Sequence, residues 1–186
     1  MKNATSIIFD LQPQLENEVV KLMPLKPEDF EKLYKVASDQ LIWEQHPNKN
    51  RYQREVFKTF FEGAIESNGA FIIYNNKTNE LIGSSRFYKL ENQPNAIAIG
   101  YTFFSKTHWG GTYNQATKEL MINHAFKFVE NVIFQIGASN IRSQKAIERL
   151  GAQKIGEENI EYYGEESKLN YIYEIKKINW NGVPNT

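Results

Sequence analysis

Residues 96–114 read AIAIGYTFFSKTHWGGTYN and decide the fold. The apolar run over residues 96–104 predicts a strand, and a helical pattern covers residues 112–130. Trp109-Gly110-Gly111-Thr112-Tyr113-Asn114 lies at their junction. Glycines there let the backbone approach a ligand, and the free N–H groups of the first helical turn favour an anion such as a phosphate. The motif alone fits equally well with glycines that serve only a tight turn.

The rest of the chain predicts a mixed α/β domain around this junction. Further strands are predicted at residues 18–25, 70–74, 81–88, 131–138, 153–163 and 169–177. Further helices are predicted at about residues 27–37, 51–67 and 143–150. The order β-α-α-β-β-β-α-β-α-β-β places the helices against one continuous sheet. We expect residues 1–14 to form a loosely held arm, residues 15–177 a single domain and residues 178–186 a tail.

Composition excludes several classes of function. The chain has 186 residues, with Lys+Arg 22 and Asp+Glu 22, so its formal net charge is zero. This balance argues against nucleic-acid binding by bulk positive charge. Cysteine is absent, which excludes disulfides and a cysteine nucleophile, and the three histidines share no metal-ligand spacing. With no apolar run long enough for a membrane helix, we expect a cytoplasmic monomer or homodimer with neither metal, membrane nor nucleic acid as partner.

A second motif follows the strand predicted at residues 131–138. Residues 140–151 read NIRSQKAIERLG, a polar turn followed by a short helix and a closing glycine. Taken in order, strand, W-G-G-T-Y-N, helix, strand and N-x-x-S-x-x-A-I-x-x-L-G-A resemble the GNAT acyltransferase superfamily. The chain is most similar to the branch of ribosomal-protein N-terminal acetyltransferases, RimJ and RimL. Leu22-x-Pro24-Leu25, Asp29 and residues 43–47 also resemble that branch, so the similarity covers about residues 15–177.

The resemblance implies both a fold and an activity. The fold is a mostly antiparallel sheet of seven strands flanked by four helices, with a V-shaped split between the fourth and fifth strands that holds acetyl-CoA. The activity is acetyl-CoA-dependent N-acetyl transfer, made directly to a primary amine in a ternary complex. The amine is a protein N-terminus or a small molecule. The alternative is a non-catalytic acyl-CoA-binding module that acts as a sensor or partner.

The resemblance also implies which residues meet the coenzyme. The pyrophosphate lies on backbone N–H groups from Trp109 to Asn114, and the pantetheine arm pairs with the strand end near Phe103 to Ser105. Asn140 matches the family asparagine that binds this arm. Ser143 matches a hydroxyl near the thioester sulfur and is the candidate catalytic residue. The residues expected to bind acetyl-CoA are Phe103, Phe104, Ser105, Trp109, Gly110, Gly111, Thr112, Tyr113, Asn114, Asn140 and Ser143.

The chain departs from the superfamily at three places. Ile147 stands where many members have a tyrosine that acts as general acid. Ala98 stands where many relatives have a glutamate, so the general base is left open. Gly111 and Thr112 occupy positions where many relatives have a basic residue and a glycine.

Two further groups have competing interpretations. Arg142, Lys145 and Arg149 could face the 3′-phosphate of the coenzyme, although a solvated helix face is the favoured alternative. Residues 43–47 read WEQHP and lie between the first two helices, where similar proteins line the acceptor side of the cleft. We therefore consider Trp43, Glu44 and His46 as acceptor-binding residues. The alternative has Trp43 in the core, Glu44 in solvent and His46 satisfied by its neighbours.

Overall fold

The computed structural model describes residues 9–182, which form one sheet of eight strands with helices on both faces. The strands are β1 (Leu15–Glu16), β2 (Val20–Pro24), β3 (Ala70–Asn75), β4 (Leu81–Tyr88), β5 (Ala96–Phe104), β6 (Asn131–Gly137), β7 (Gln153–Ile160) and β8 (Lys168–Lys176). The α-helices of this region are α1 (Phe30–Ala37), α2 (Arg54–Glu66), α3 (Tyr113–Ala125) and α4 (Ile141–Glu148). The order in the sheet is β1-β2-β3-β4-β5-β6-β8-β7.

The predicted order of elements is confirmed, with one added strand. The two-residue β1 pairs with β2 through Leu15 and Leu22, so the sheet has eight strands rather than seven. Helix α4 begins at Ile141, two residues before the predicted start, because the side chain of Asn140 caps it. Helix α3 ends at Ala125 because the next amides, those of Lys127 and Phe128, bond to carbonyls only three residues back.

Side chains alternate between the two faces of the sheet and form a core on each. In β3, Phe71 and Ile73 belong to one core, whereas Ala70 and Ile72 belong to the other. The first core packs against α3, which contributes Met121, Ile122 and Ala125, as its apolar periodicity predicts. The second core packs against α1 and α2, which contribute the buried side chains of Leu33, Ala37, Phe57, Phe60, Phe61 and Ala64.

The sheet opens between β5 and β6, its one parallel pair in the described region. These strands pair only at Ala96–Asn131, Ile97–Val132 and Ala98–Ile133. Beyond Ala98, β5 carries a bulge, because its register with β4 shifts and Tyr101 has a φ of +54°. A bulge bends its strand, so β5 turns away from β6 and leaves a split. Since β1 is additional, this is the split predicted between the fourth and fifth strands.

The chain before the first strand is packed where the structure describes it. The ring of Phe9 lies 5.4 Å from that of Phe87, between ring centroids. Gln12 donates to the carbonyl of Ala70 at 2.8 Å, and His124 donates to that of Asp10. The expected loose arm therefore does not extend over residues 9–14; the rest of it lies outside the described residues. None of the helices described is long and apolar enough to cross a membrane.

Candidate active site

The split between β5 and β6 contains a cavity of about 360 Å³. Strands β5 and β6, the start of α3 and the start of α4 line it, so both sequence motifs meet there. The predicted coenzyme-binding residues that line the cavity are Phe103, Phe104, Trp109, Gly110, Gly111, Asn114, Asn140 and Ser143. Ser105, Thr112 and Tyr113 do not line it.

The loop before α3 has the properties of an anion site. Gly110 has a φ of +72°, and a Cβ placed there would meet no described atom within 4 Å. The backbone amides of residues 110–115 donate no hydrogen bond to any described residue. Thr112 begins the helix without a side-chain cap. The loop therefore presents unpaired N–H donors and the positive end of α3, which fits a pyrophosphate.

The predicted residues outside the cavity hold this loop in position. The Ser105 amide donates to the carbonyl of Ile82 at 2.7 Å. The Tyr113 hydroxyl accepts a hydrogen bond from the Asn75 side chain at 3.2 Å. Thr112 is exposed at the helix start. Ser105 and Tyr113 therefore anchor the two ends of the loop and do not line the cavity.

The free edge of β5 offers one backbone donor at its end. Because the Ser105 amide bonds to β4 and strand polar groups alternate in direction, the polar groups of Phe104 face the split. Its carbonyl accepts a hydrogen bond from the Trp109 indole at 3.0 Å. The Phe104 N–H is then the group at this edge that can meet a ligand.

Asn140 and Ser143 lie on the other side of the split, at the start of α4. The Asn140 side-chain oxygen accepts a hydrogen bond from the Ser143 amide at 3.1 Å, so Asn140 is the N-cap of the helix. Asn140 is buried and lines the cavity. Ser143 is half-buried, and its hydroxyl has no hydrogen-bond partner among the described residues. The hydroxyl is therefore available to a ligand.

The basic residues of α4 divide into two groups. Half-buried Arg142 and the exposed Arg149, which follows α4 as its C-cap, line the cavity, whereas exposed Lys145 does not. Arg142 stacks over Trp109, with its guanidinium carbon 4.0 Å from the ring centroid, and donates to the carbonyl of Ile42 at 3.2 Å. This arrangement favours an anion-binding role for Arg142 and Arg149 and a solvated position for Lys145.

The residues of the loop between the first two helices also differ in whether they line the cavity. Trp43 is fully buried, donates to the carbonyl of Ala37 at 2.7 Å and packs on Phe103. Glu44 is exposed, and neither residue lines the cavity. His46 does line it; burial, aided by the positive charges of Arg51 and Arg142, lowers the pKa of His46 to about 3. Trp43 therefore lies in the core and Glu44 in solvent, as the alternative interpretation has it. Of the three residues, only neutral His46 lies where it can contact an acceptor in the cavity.

Three tyrosines that the sequence analysis missed line one end of the cavity. Tyr88 donates to Gln135 at 3.0 Å and so links β4 to β6 across the split. The Tyr101 ring lies 5.4 Å from Tyr88 and 5.7 Å from Tyr162, between centroids. Burial raises the pKa of all three hydroxyls, so they are neutral near pH 7. Aromatic residues in strand patterns look like core, which is why no sequence signal separated them.

An ion pair that the sequence did not predict closes the same end. Arg51 donates to both carboxylate oxygens of Glu165, at 2.7 and 2.8 Å, across a separation of 114 residues. Arg51 is 2% exposed and lines the cavity, whereas Glu165 does not. None of the described residues that line the cavity is acidic. Its cationic lining residues are Arg51, Lys118, Arg142 and Arg149.

Comparison with known proteins identifies this arrangement. The family model described as Acetyltransferase (GNAT) domain matches residues 20–153. The chain belongs to the GNAT acetyltransferase family. It is therefore an N-acetyltransferase by family, and GNAT acetyltransferases use acetyl-CoA as the acetyl donor. No group of three or more histidines or acidic residues within 9–182 is arranged to hold a metal ion.

Solved structures share the fold over nearly the whole GNAT chain. A GCN5-related N-acetyltransferase from Brucella melitensis is 16% identical, with a TM-score of 0.77 over 97% of this chain and 86% of that one. Mycobacterium smegmatis RimJ in complex with CoA-disulfide is 16% identical, with a TM-score of 0.69 over 91% and 88%. Ribosomal-protein-S5-alanine acetyltransferase from Vibrio fischeri is 15% identical, with a TM-score of 0.66 over 91% and 100%. At such low sequence identities, the similarity shows a shared fold only.

The structure places the residues at which this GNAT chain differs from many members of the superfamily. Ile147 is buried and lines the cavity, so an apolar side chain occupies the place of the family tyrosine. Ala98 is fully buried in β5 at the last pair with β6, where it offers no base. The cavity also contains a lysine that the sequence analysis did not identify. Lys118 of α3 is buried, and burial lowers its pKa to about 7.

Proposed function

We propose that this GNAT acetyltransferase transfers the acetyl group of acetyl-CoA directly to a primary amine, either a protein N-terminus or a small molecule, in a ternary complex. The observation that carries the proposal is the split itself. It combines unpaired amides at residues 110–115 with a free strand edge at Phe104 and an unpartnered hydroxyl at Ser143. A long coenzyme with a pyrophosphate and an amide-rich arm needs these groups in this order.

Binding is the first task of the split. The unpaired amides of the loop and the positive end of α3 hold the pyrophosphate, while Arg142 and Arg149 supply positive charge for phosphate. Asn140 and the edge of β5 hold the pantetheine arm. Fixing the thioester beside a bound amine can lower the barrier by about 7–11 kcal/mol.

Direct transfer follows from the residues available. Acetyl-CoA supplies an activated carbonyl, and the chain has no cysteine to form an acyl-enzyme. The Phe104 N–H can donate to the carbonyl oxygen, where negative charge develops; such donors contribute about 3–4 kcal/mol in other enzymes. The Ser143 hydroxyl can donate a hydrogen bond to the departing sulfur, although its own pKa is too high for it to act as an acid unaided.

Deprotonation of the acceptor falls to water. No described carboxylate lines the cavity, and His46, with a pKa of about 3, is a weak base. The other histidine of the lining, His108, is held beside the anion-binding loop by hydrogen bonds of its Nδ1 with the Ser105 and Thr107 hydroxyls. Neutral Tyr88, Tyr101 and Tyr162 can hydrogen-bond an amine but cannot remove its proton near pH 7. The acceptor therefore reacts from its free-base fraction. A cavity lined by cations and no acid also favours monoamines over polyamines.

The second candidate function is a binding module without turnover. Ile147 and Ala98 favour it, because two groups that many GNAT enzymes use for proton transfer are replaced by apolar side chains. Such a module needs the same coenzyme contacts but no acceptor.

Thiol release from acetyl-CoA separates the two functions. The wild type is incubated with acetyl-CoA and a panel of amines that includes amino acids, short peptides, monoamines and polyamines, with calorimetry on the same protein. Amine-dependent thiol release supports the enzyme. Tight coenzyme binding without amine-dependent release across the panel supports the module.

A further inference from the structure

Lys118 is a buried lysine that has no acidic partner within the part of the chain that the structure describes. It lies on α3, is 4% exposed and lines the cavity. Lysine is almost never buried to this extent unless it is paired with a carboxylate. None of the ion pairs within the described residues includes Lys118. Its burial disfavours the folded state, so a structural role alone explains it poorly.

The neighbours of Lys118 place its ammonium at the bulge of β5. Nζ donates to the Thr102 hydroxyl at 2.5 Å and to the Ser85 hydroxyl at 3.5 Å. These two hydroxyls lie 2.8 Å apart and link β5 to β4. An ammonium has three N–H donors, so one remains for a group in the cavity.

Among residues 9–182, the strands packed around Nζ face it with uncharged side chains. Strand β4 faces it with Ser85, β5 with Thr102 and β6 with Phe134, whose ring centroid is 5.8 Å from Nζ. Burial alone accounts for the lowered pKa of Lys118, about 7. A group with this pKa is present both as ammonium and as free amine near neutral pH, as an acid that works in turnover must be.

We propose that Lys118 is the acid that protonates the sulfur of coenzyme A as it leaves. This inference rests on the proposed function. The acceptor nitrogen bonds to the acetyl carbon, the carbon–sulfur bond breaks and its electron pair goes to sulfur. The Lys118 ammonium gives one proton to that sulfur, and its free amine regains one proton that the acceptor nitrogen releases through water. Lys118 thereby replaces the tyrosine absent at Ile147, while Ser143 approaches the sulfur from α4.

The first test is independent of turnover. Free coenzyme A is bound to the wild type and to Lys118→Met, and ionisation of its thiol is followed by the ultraviolet absorbance of the thiolate. A nearby ammonium favours the thiolate, so below a pH of about 7, where Lys118 carries its proton, the bound coenzyme should show about tenfold more thiolate in the wild type than in Lys118→Met. Lys127→Met, which removes an exposed lysine just beyond α3, is the matched control and should behave as the wild type. Equal ionisation in wild type and Lys118→Met overturns the proposal.

The second test measures thiol release from acetyl-CoA with an accepted amine. We expect Lys118→Met to lower kcat about 100-fold, the lower range for loss of an acid, while the Kd for acetyl-CoA changes by less than about threefold. In the wild type, kcat/KM should level off above a pH of about 7, where Lys118 loses its proton. In Lys118→Met it should continue to rise toward the pKa of the amine. Unchanged kcat overturns the proposal.

The thermal stability of Lys118→Met distinguishes an acid role for Lys118 from a structural role. The folded pKa of about 7 lies below the ordinary 10.5, so between these values the unfolded chain binds more protons and Lys118 makes stability rise with pH. Lys118→Met removes this dependence, and its Tm at pH 7 should equal or exceed that of the wild type. A lower Tm together with weaker coenzyme binding would indicate a structural role and overturn the proposal.

The outcomes also distinguish the two proposals. Thiol release by the wild type without a Lys118-dependent shift in thiol ionisation overturns the role of Lys118 alone. A clear ionisation shift in a wild type that acetylates no amine overturns the proposed function and, with it, the acid role.

Discussion

The guanidinium of Arg142 stacks on the Trp109 ring and joins the two sides of the split. Trp109 follows β5 and bonds back to Phe104, whereas Arg142 belongs to α4, which follows β6. The backbone amide of Arg142 also donates to the side chain of Gln45 at 3.0 Å. The side chain of Arg142 also donates to the carbonyl of Ile42, so this one residue links the anion-binding loop, the start of α4 and the loop after α1.

Removing this contact should weaken coenzyme binding. We expect Arg142→Gln to raise the Kd for acetyl-CoA about tenfold, because both the stacking and a phosphate partner are lost. Lys145→Gln, an exposed change on the same helix, is the control and should leave the Kd unchanged. Calorimetry with 3′-dephospho-CoA locates the phosphate: if Arg142 holds the 3′-phosphate, the difference between variant and wild type disappears. Equal effects of Arg142→Gln and Lys145→Gln contradict the assignment.

The anion-binding loop should not tolerate side chains. Gly110→Val adds strain of about 1–2 kcal/mol at a positive φ and places a branched side chain over the unpaired amides, so acetyl-CoA binding should be lost. Gly111→Glu should abolish binding through its negative charge. Gly151→Val is the matched control, because Gly151 has a φ of +89° and equally open space outside the loop. Calorimetry on the folded variants measures their affinity for acetyl-CoA. Unchanged affinity in Gly110→Val would show that the loop does not bind the pyrophosphate.

Ser143 should affect chemistry more than binding. Ser143→Ala removes a hydroxyl that has no other described partner, so kcat should fall about tenfold while the Kd for acetyl-CoA stays the same. Ser139→Ala, at an exposed serine of the same turn, should match the wild type. Steady-state kinetics beside calorimetry measure both quantities. Equal losses in kcat and affinity would make Ser143 a binding residue.

The pH dependence of kcat/KM in the acidic range should reflect the deprotonation of the acceptor amine. Below a pH of about 7, kcat/KM for an amine should rise about tenfold per pH unit, the slope of its free-base fraction, since no described carboxylate lines the cavity. His46→Gln should keep this slope, because the pKa of His46 is about 3 and the imidazole is already neutral. A slope that breaks at an intermediate pH and is restored by His46→Gln would show that the histidine acts as a base.

Glu44 should be dispensable for turnover. It is exposed and does not line the cavity, so Glu44→Gln should change kcat and the acceptor KM by less than about twofold, as surface substitutions usually do. Kinetics with any accepted amine test this. A several-fold increase in KM would show that the acceptor passes over residues 43–47 and would restore the prediction made from the sequence.

Local signals in the sequence account for most of the fold. The element order and the strand over residues 96–104 follow from periodicity, whereas the position of the split follows from the resemblance to the GNAT superfamily that the two motifs carry. Asn140 was predicted to lie in the site, and it also caps α4, which is a local interaction that leaves a local signal.

The remaining features depend on contacts that no local pattern encodes. The bulge at Tyr101 lies inside an unbroken strand-like run, so its positive φ arises from pairing with β4. Lys118 looks like any helix lysine until β4, β5 and β6 surround it. The pairing of Arg51 with Glu165 spans 114 residues. Trp43 and Glu44 are adjacent in the sequence, yet one is buried and the other exposed.

Hydrogen exchange with and without acetyl-CoA tests the central claim most directly. The amides of residues 110–115 have no acceptor in the described structure and should exchange rapidly in the free protein. Saturating acetyl-CoA should protect these amides and that of Phe104, while the β7–β8 pair at the sheet edge stays unchanged. Unaltered exchange over residues 104–115 at a coenzyme concentration that calorimetry shows to be saturating would contradict the account.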